Sequence, residues 1–136
     1  KHTIEAGAPA LVGTASVETS EELSARFRKA GIDLKEVRIV SDNRDAIIAA
    51  VKTLSAGHDH VFTSGGIGPT HDDITADCVA AAFGVKIGVR EDARAMLAAH
   101  YERTGIELNA ARLRMARIPD GAALIDNPIS AAPGFG

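Results

Sequence analysis

The amino-acid sequence predicts an α/β fold, a three-layer, open and mostly parallel sheet with helices on both faces. Three short apolar runs have the length of buried strands: residues 10–12, 34–40 and 60–63. Each run leads into a longer segment whose apolar residues recur at helical spacing, and each such segment ends at a glycine: Gly31, Gly57 and Gly84. Strands that alternate with helices indicate a parallel sheet joined by right-handed crossovers. The 136 residues, 46% of them apolar, predict one domain over residues 1–136.

Local signals predict where the first three helices begin. Thr19 forms a capping-box pattern with Glu22, three residues later. Asp42 or Asn43 can cap the second helix, and Thr75 can cap the third. The remaining predicted elements are helices over residues 76–83, 91–103 and 108–115, strands at 86–88 and 122–125, and a loop over 127–136.

Composition and charge argue against several classes of protein. A net charge of −3 argues against a nucleic-acid binder held by phosphate contacts, and the apolar runs are too short to cross a bilayer. Cys78 is the only cysteine, which excludes an internal disulfide and favours a cytoplasmic setting. The N-terminus carries no signal peptide, and a start at Lys1 rather than Met indicates a fragment or a processed chain. We expect no nucleic-acid or membrane partner, while a homo-oligomer that pairs open sheet edges stays an alternative.

A glycine-rich turn at the exit of the third strand is the main candidate for a ligand site. It contains Gly65, Gly66, Gly68 and Pro69 and precedes the third helix. Glycines allow a positive φ and let a ligand reach bare backbone N–H groups, and a helix start adds a positive dipole end. The turn lacks the third glycine of the dinucleotide fingerprint and the Gly-Lys-Ser/Thr of a P-loop. We therefore predict a phosphate or another anion as the ligand, with a plain tight turn as the alternative.

The carboxyl edge of the predicted sheet brings candidate side chains toward this turn. Open parallel sheets bind ligands outside the carboxyl ends of their strands, and three turns lie at that edge: residues 13–18, 41–44 and 64–73. Ser64 and Thr70 can either donate hydrogen bonds to a phosphate or cap the turn. Asp42 and Asp73, with Asp72 beside the latter, can hold a magnesium ion that bridges to phosphate oxygens. The alternative is helix capping by Asp42 and simple solvation of Asp73.

Four stretches between about residues 31 and 135 carry a resemblance to a known family: GIDLKEVRIV, GGIGPTHDD followed by Ile-Thr, AHYERTGIELNAARLRMARIP and NPISAAPGF. They resemble the molybdopterin-binding domain family of molybdenum cofactor biosynthesis, in the branch of the competence/damage-inducible protein A (CinA) type. The resemblance implies a Rossmann-like fold that binds molybdopterin or a nucleotide diphosphate. In the CinA branch it implies metal-dependent hydrolysis of a pyrophosphate such as ADP-ribose. It places the diphosphate on residues 65–68 and makes Asp42 and Asp73, which match the family's acidic pair, catalytic and magnesium-binding residues.

The first 31 residues depart from that family. Its first strand runs into a Gly-Asp-Glu turn that lines the pocket, whereas this chain has GAPALVGTASVETSEELSARFRKAGI. That stretch resembles a strand–helix unit of the second nucleotide-binding domain of the translocase ATPase SecA. The family also continues into a further strand beyond the position of Gly136. The interpretation is therefore an engineered or recombined chimera, residues 1–31 joined to a molybdopterin-binding part over 32–136, without catalytic activity. The alternative is a pterin- or nucleotide-binding enzyme with metal-dependent pyrophosphatase activity.

Overall fold

A computed structural model of the protein describes residues 9–13, 17–128 and 130–136. Residues 14–16 of the predicted turn at 13–18 lie outside these ranges. The chain divides into two compact units, the first ending at Gly66 and the second beginning at Ile67. One domain over residues 1–136 stays a prediction. Within the described ranges, no helix is both long and apolar enough to cross a lipid bilayer.

The first unit is built on a three-stranded parallel sheet. Its elements are, in chain order, β1 Pro9–Gly13, α1 Val17–Lys29, β2 Glu36–Ile39, α2 Arg44–Gly57 and β3 His60–Ser64. The strand order is β2-β1-β3, so that both neighbours pair with β1. This arrangement confirms the predicted α/β class with its parallel sheet.

Helices cover both faces of this sheet because alternate strand residues point to opposite sides. On one face, Val12 of β1 packs with Ala50 and Leu54 of α2 in a buried cluster. On the other face, Phe27 of α1 contacts Phe62 of β3, with ring centroids 4.7 Å apart. The prediction of helices on both faces is therefore confirmed for this unit.

β2 is shorter than the strand predicted over residues 34–40. The backbone N–H of Lys35 donates to the carbonyl of Pro9, and that of Val40 donates to the carbonyl of Gly13. Both acceptors belong to β1, and within the described residues the paired register runs from Glu36 to Ile39. The bounds of β2 therefore follow from pairing with β1 and not from the alternation within residues 34–40.

The start of α1 corrects the prediction of a capping box at Thr19. The helix already begins at Val17, which places Thr19 inside its first turn. Glu18 in that turn is stabilised by the positive end of the helix dipole, which favours the earlier start. The predicted glycine at the other end of this helix is confirmed, because Gly31 has a left-handed φ of 82°.

Asn43, and not Asp42, caps α2. Its Oδ1 accepts a hydrogen bond from the Ala46 N–H at 3.1 Å, and its backbone is extended, as an N-cap requires. Asp42 lies one residue further out and is exposed. At the other end, Gly57 is the last helical residue, and the C-cap is His58.

Asn43→Ala should lower the free energy of unfolding by about 1 kcal/mol, because it leaves a first-turn N–H group without its side-chain acceptor. Asp42→Ala is the matched control, with an expected change within about 0.5 kcal/mol since the residue is exposed. Urea unfolding of both variants measures the difference. Equal losses would mean that Asp42 shares the cap, contrary to the observed hydrogen bond.

The second unit consists of helices and short strand pairs. Its elements are α3 Thr75–Phe83, β4 Ile87–Val89, α4 Glu91–Thr104, α5 Ala110–Leu113, the 3-10 helix Arg114–Ala116, β5 Arg117–Pro119, β6 Leu124–Ile125 and β7 Gly134–Phe135. β4 pairs with β5 and β6 pairs with β7, both antiparallel. The core cluster of this unit contains Ala93, Leu97, Ala116 and Ile118, each at most 2% exposed.

Two helices of this unit begin at positions that differ from the prediction. α5 starts later than the helix predicted over residues 108–115, because Asn109 Oδ1 accepts a hydrogen bond from the Arg112 N–H at 3.0 Å and caps it there. Thr75 is the first helical residue of α3 and is buried, so it is not the predicted cap. The cap position falls on Ile74.

Strand pairing explains the other differences. The predicted strands at 86–88 and 122–125 become β4 and β6, each placed by its antiparallel partner. The loop predicted over residues 127–136 contains β7, because Gly134 and Phe135 pair with β6 although they carry no local strand signal. Strand formation depends on such pairing partners more than on the intrinsic preference of the residues. The sequence of residues 127–136 alone therefore does not predict β7.

Candidate functional site

Gly65 and Gly66 follow β3 directly, and both have a positive backbone φ, of 83° and 63°. Residues with a Cβ rarely adopt this conformation, so the bend at the end of β3 depends on glycine. Neither residue carries a side chain that would shield the bend from a ligand. The bend is therefore built as the sequence predicted for an anion site.

The bend lies where the strand order of the first unit reverses. The chain passes from β1 to β2 on one side and returns to β3 on the other side of β1. Ligands of open α/β sheets bind at such a point, outside the carboxyl ends of the strands. Ser64, the last residue of β3, is the register partner of Gly13, the last residue of β1. The ends of β1 and β3 therefore flank the candidate site in this unit.

Asp42 follows β2, which is separated from β3 by β1. Since neighbouring strands are about 4.8 Å apart, the ends of β2 and β3 lie about 10 Å from each other. The side chain of Asp42 is exposed, and the capping role that was its alternative belongs to Asn43. Asp42 thus stands at the carboxyl edge, but two strands away from the glycine bend. Its catalytic and metal-binding roles stay predictions.

Asp73, in the second unit, holds the turn that contains Gly68 and Thr70. Its Oδ2 accepts hydrogen bonds from the Thr70 N–H at 2.9 Å and from the Thr70 Oγ1–H at 2.6 Å. Gly68 lies against the same carboxylate, since a Cβ at Gly68 would be 2.5 Å from Asp73 Oδ2. The sequence analysis missed this role, although Thr70 and Asp73 have the spacing of a capping box, in which a carboxylate reaches back to a backbone N–H.

The adjacent carboxylates of Asp72 and Asp73 each have a donor nearby. Asp72 Oδ1 lies 3.0 Å from His71 Nε2, but the two side chains are 71% and 88% exposed. Water therefore screens this contact, and it stabilises the fold little. Both hydrogen bonds to Asp73 use Oδ2, so Oδ1 is the oxygen that it would offer to a ligand or a cation.

The donor set of these residues suits magnesium, because carboxylate oxygens are ligands that it prefers. Among the residues that the structure describes, no cluster of three or more His, Cys, Asp or Glu side chains could hold a metal ion. A magnesium ion at one or two of these carboxylates would take its other ligands from water and phosphate oxygens. The metal assignment of Asp42, Asp72 and Asp73 stays a prediction.

Ser20 is a polar residue near the glycine bend that the sequence analysis did not single out. It lies in the first turn of α1, is 1% exposed, and its Oγ would be 2.6 Å from a Cβ at Gly13. Ser64 Oγ would be 3.8 Å from the same point. The signal that could have found Ser20 is its spacing of three and seven residues from Leu23 and Phe27, which places it on the helix face that meets the sheet.

Comparison with known families identifies the class of this protein. The model of the family described as "Probable molybdopterin binding domain" matches residues 10–136, so the chain belongs to the molybdopterin-binding domain family. Within it, the chain is similar to a CinA-like protein of Myxococcus xanthus, 38% identical over 90% of this chain and 29% of that protein. It is also similar to a protein of Pyrobaculum arsenaticum, 33% identical over 97% of this chain and 50% of that protein.

A solved structure shares the fold. The crystal structure described as that of the protein CinA with unknown function from Thermoplasma acidophilum matches with a TM-score of 0.79 at 29% identity, over 94% of this chain and 79% of that one. The predicted family and its CinA-like branch are thereby confirmed. The chain spans 29% and 50% of the length of the two relatives named above.

The family match includes most of the segment that resembles SecA. It begins at residue 10, and the alignment with a protein of Pyrobaculum calidifontis, 31% identical, covers 98% of this chain. Neither the SecA resemblance of residues 1–31 nor a chimeric origin gains support from these comparisons. Strand–helix units recur throughout parallel-sheet folds, which explains how a short likeness can arise between unrelated families.

Proposed function

We propose that this domain binds molybdopterin or a nucleotide diphosphate through the phosphate groups of the ligand. The observation that supports this most is the bend of Gly65 and Gly66, two consecutive residues with positive φ at the reversal of the strand order. Such a bend lets an anion approach the backbone without an intervening side chain. The hydroxyl group of Ser64 would add a hydrogen bond to a phosphate oxygen, and the predicted phosphate contact of Thr70 belongs to the second unit.

The finer part of the proposal is metal-dependent hydrolysis of a pyrophosphate bond, as in ADP-ribose. Asp72 and Asp73 would hold a magnesium ion, whose chemistry is to neutralise the charge of a diphosphate, while the metal-binding role of Asp42 in the first unit stays a prediction. Asp73 would use Oδ1, because Oδ2 already accepts both hydrogen bonds from Thr70. Those bonds would orient the carboxylate. Family membership supports the ligand class, while the reaction rests on the resemblance of GGIGPTHDD to the CinA-type signature.

Asp73→Asn is the direct test of the reaction. We expect the hydrolysis of ADP-ribose with Mg²⁺ to fall by about a hundredfold or more, because the charge is lost while the shape is kept. Asp59→Asn is the matched control, an exposed residue directly before β3 at the amino edge of the sheet, and it should leave the rate unchanged. Chelation of the metal should abolish the wild-type activity. Hydrolysis that survives Asp73→Ala would exclude this mechanism.

A folded domain that binds no ligand is the alternative. A ligand raises the melting temperature because it binds the folded state and not the unfolded one. Thermal-shift titrations with ADP-ribose, molybdopterin and pyrophosphate, each with Mg²⁺, separate the two proposals. A rise with any of them supports a ligand site, whereas no rise with all of them favours a scaffold without activity. Binding without hydrolysis would keep the ligand class and remove the reaction.

A further inference from the structure

The hydroxyl group of Ser20 is buried without a hydrogen-bond partner among the described residues. Buried hydroxyl groups are nearly always paired, because an unpaired one loses its hydrogen bonds to water and gains nothing in return. A serine in a helix usually donates back to the carbonyl of the preceding turn. Ser24, one turn later, does so, with its Oγ 2.8 Å from Ser20 O. The unpaired Ser20 therefore requires an explanation.

Ser20 Oγ occupies the space that a side chain on Gly13 would fill. A Cβ there would be 2.6 Å from Ser20 Oγ and 3.8 Å from Ser64 Oγ, so both hydroxyl oxygens lie close to the last residue of β1. Gly13 and Ser64 are register partners, and Gly65 follows Ser64 directly. The unpaired hydroxyl therefore stands at the carboxyl end of β1, next to the strand from which the glycine bend continues.

Ser20 also borders open space in the first unit. It lines a groove of about 450 Å³ between α1 and β2, together with Val17, Ser24, Val37 and Ile39. That volume falls within the range of small-molecule sites, about 300–1,000 Å³. Val17 begins α1, so this groove opens beside the positive end of a helix dipole, which favours an anionic group.

We propose that Ser20 is a ligand-binding residue whose Oγ–H donates a hydrogen bond to a phosphate oxygen of the ligand. The inference rests on the proposed function and adds a residue from α1 to the part of the site that the first unit builds from the end of β3, Gly65 and Gly66. The start of α1 favours an oxyanion over a cation as the partner of this hydroxyl, and Arg28 lines the same groove and balances the charge of Glu21 there. The unpaired donor then finds its acceptor when the ligand binds.

Ser20→Ala tests this with two readouts, the apparent Kd for ADP-ribose in Mg²⁺ and the melting temperature without ligand. We expect the Kd to rise by about tenfold or more, because a hydrogen bond to a charged oxygen is lost. The melting temperature should stay the same or increase, since the variant removes an unpaired buried hydroxyl and places alanine in a helix. Ser55→Ala in α2 is the control, since its Oγ–H donates to the Lys52 carbonyl at 3.1 Å and it does not line this groove, and it should leave the Kd unchanged.

The outcomes distinguish this inference from the proposed function. If wild type binds ADP-ribose and Ser20→Ala binds it equally well, the role of Ser20 is wrong and the proposed function stands. A fall in the melting temperature of Ser20→Ala without a change in Kd would likewise overturn it, because the hydroxyl would then stabilise the fold. If wild type binds neither ADP-ribose nor pyrophosphate, the proposed function fails and the role of Ser20 fails with it.

Discussion

Gly68→Ala should lower the free energy of unfolding by about 1–3 kcal/mol and weaken the binding of ADP-ribose. The added Cβ would stand 2.5 Å from Asp73 Oδ2, 2.9 Å from its Cγ and 3.0 Å from its Oδ1. All three distances are shorter than ordinary contacts, so the whole carboxylate has to move. Its movement breaks both hydrogen bonds from Thr70 and displaces the oxygen that we assign to the ligand or its cation.

Gly57→Ala is the matched control, with the opposite expected sign. Apart from its chain neighbours and the backbone of its own helix, no described atom lies within 4 Å of a Cβ built at Gly57. Alanine is more stable than glycine in a helix by about 0.5–1 kcal/mol, so stability should rise while binding stays the same. Gly68 lies outside the left-handed backbone region. The loss of stability in Gly68→Ala would therefore come from lack of space for the Cβ and not from an unfavourable backbone conformation.

A double-mutant cycle with Asp73→Ala identifies the atoms that clash. If the carboxylate is the obstacle, Gly68→Ala should be nearly neutral in the Asp73→Ala background, with a coupling energy of about 1 kcal/mol or more. Urea unfolding of wild type, the two single variants and the double variant gives this energy. Additive effects would mean that the methyl group meets other atoms, and that Asp73 does not hold the turn.

Ile118→Ala should lower the free energy of unfolding by about 2–5 kcal/mol. Ile118 is 2% exposed and belongs to the core cluster of the second unit with Ala93, Leu97 and Ala116. It lies in the middle of β5, opposite Gly88 of β4. Gly88, Ala93 and Ala116 have short side chains or none and cannot fill the cavity, so the loss within this range depends on how far larger neighbours such as Leu97 relax into it.

Ile106→Ala removes the same atoms in the same unit from a side chain that is 47% exposed. We expect it to lower stability by less than about 1 kcal/mol. Urea unfolding with comparison of the m values measures both variants. Similar losses at the two positions would contradict the assignment of Ile118 to the core.

Many elements of the fold could be predicted because their signals are local. Gly31 and Gly84 have the left-handed backbone expected after a helix, and alternating strand and helix patterns predict the parallel sheet. The bounds of β2 and the existence of β7 could not be predicted in the same way. Each depends on backbone groups of a strand distant in the sequence.

The candidate site shows the same difference between features that local signals predict and features that depend on distant segments. The glycine bend follows from residue type, since Gly65 and Gly66 are the residues that adopt a positive φ without strain. The contacts of the neighbouring acidic side chains do not follow from residue type. From the sequence, Asp42 could either cap α2 or bind a ligand. Only the structure showed that Asn43 is the cap. It also showed that Asp73 fixes its own turn through Thr70.

By itself, the sequence determined the α/β class, the glycine bend and the family, because each follows from residue types and spacings within short stretches. Only the tertiary structure decided that Ser20 lies over Gly13 beside Ser64. The physical reason is the strand order. Periodicity and glycine act on their neighbours along the chain, whereas the surroundings of a buried hydroxyl depend on which strand ends are adjacent, and these come from distant segments.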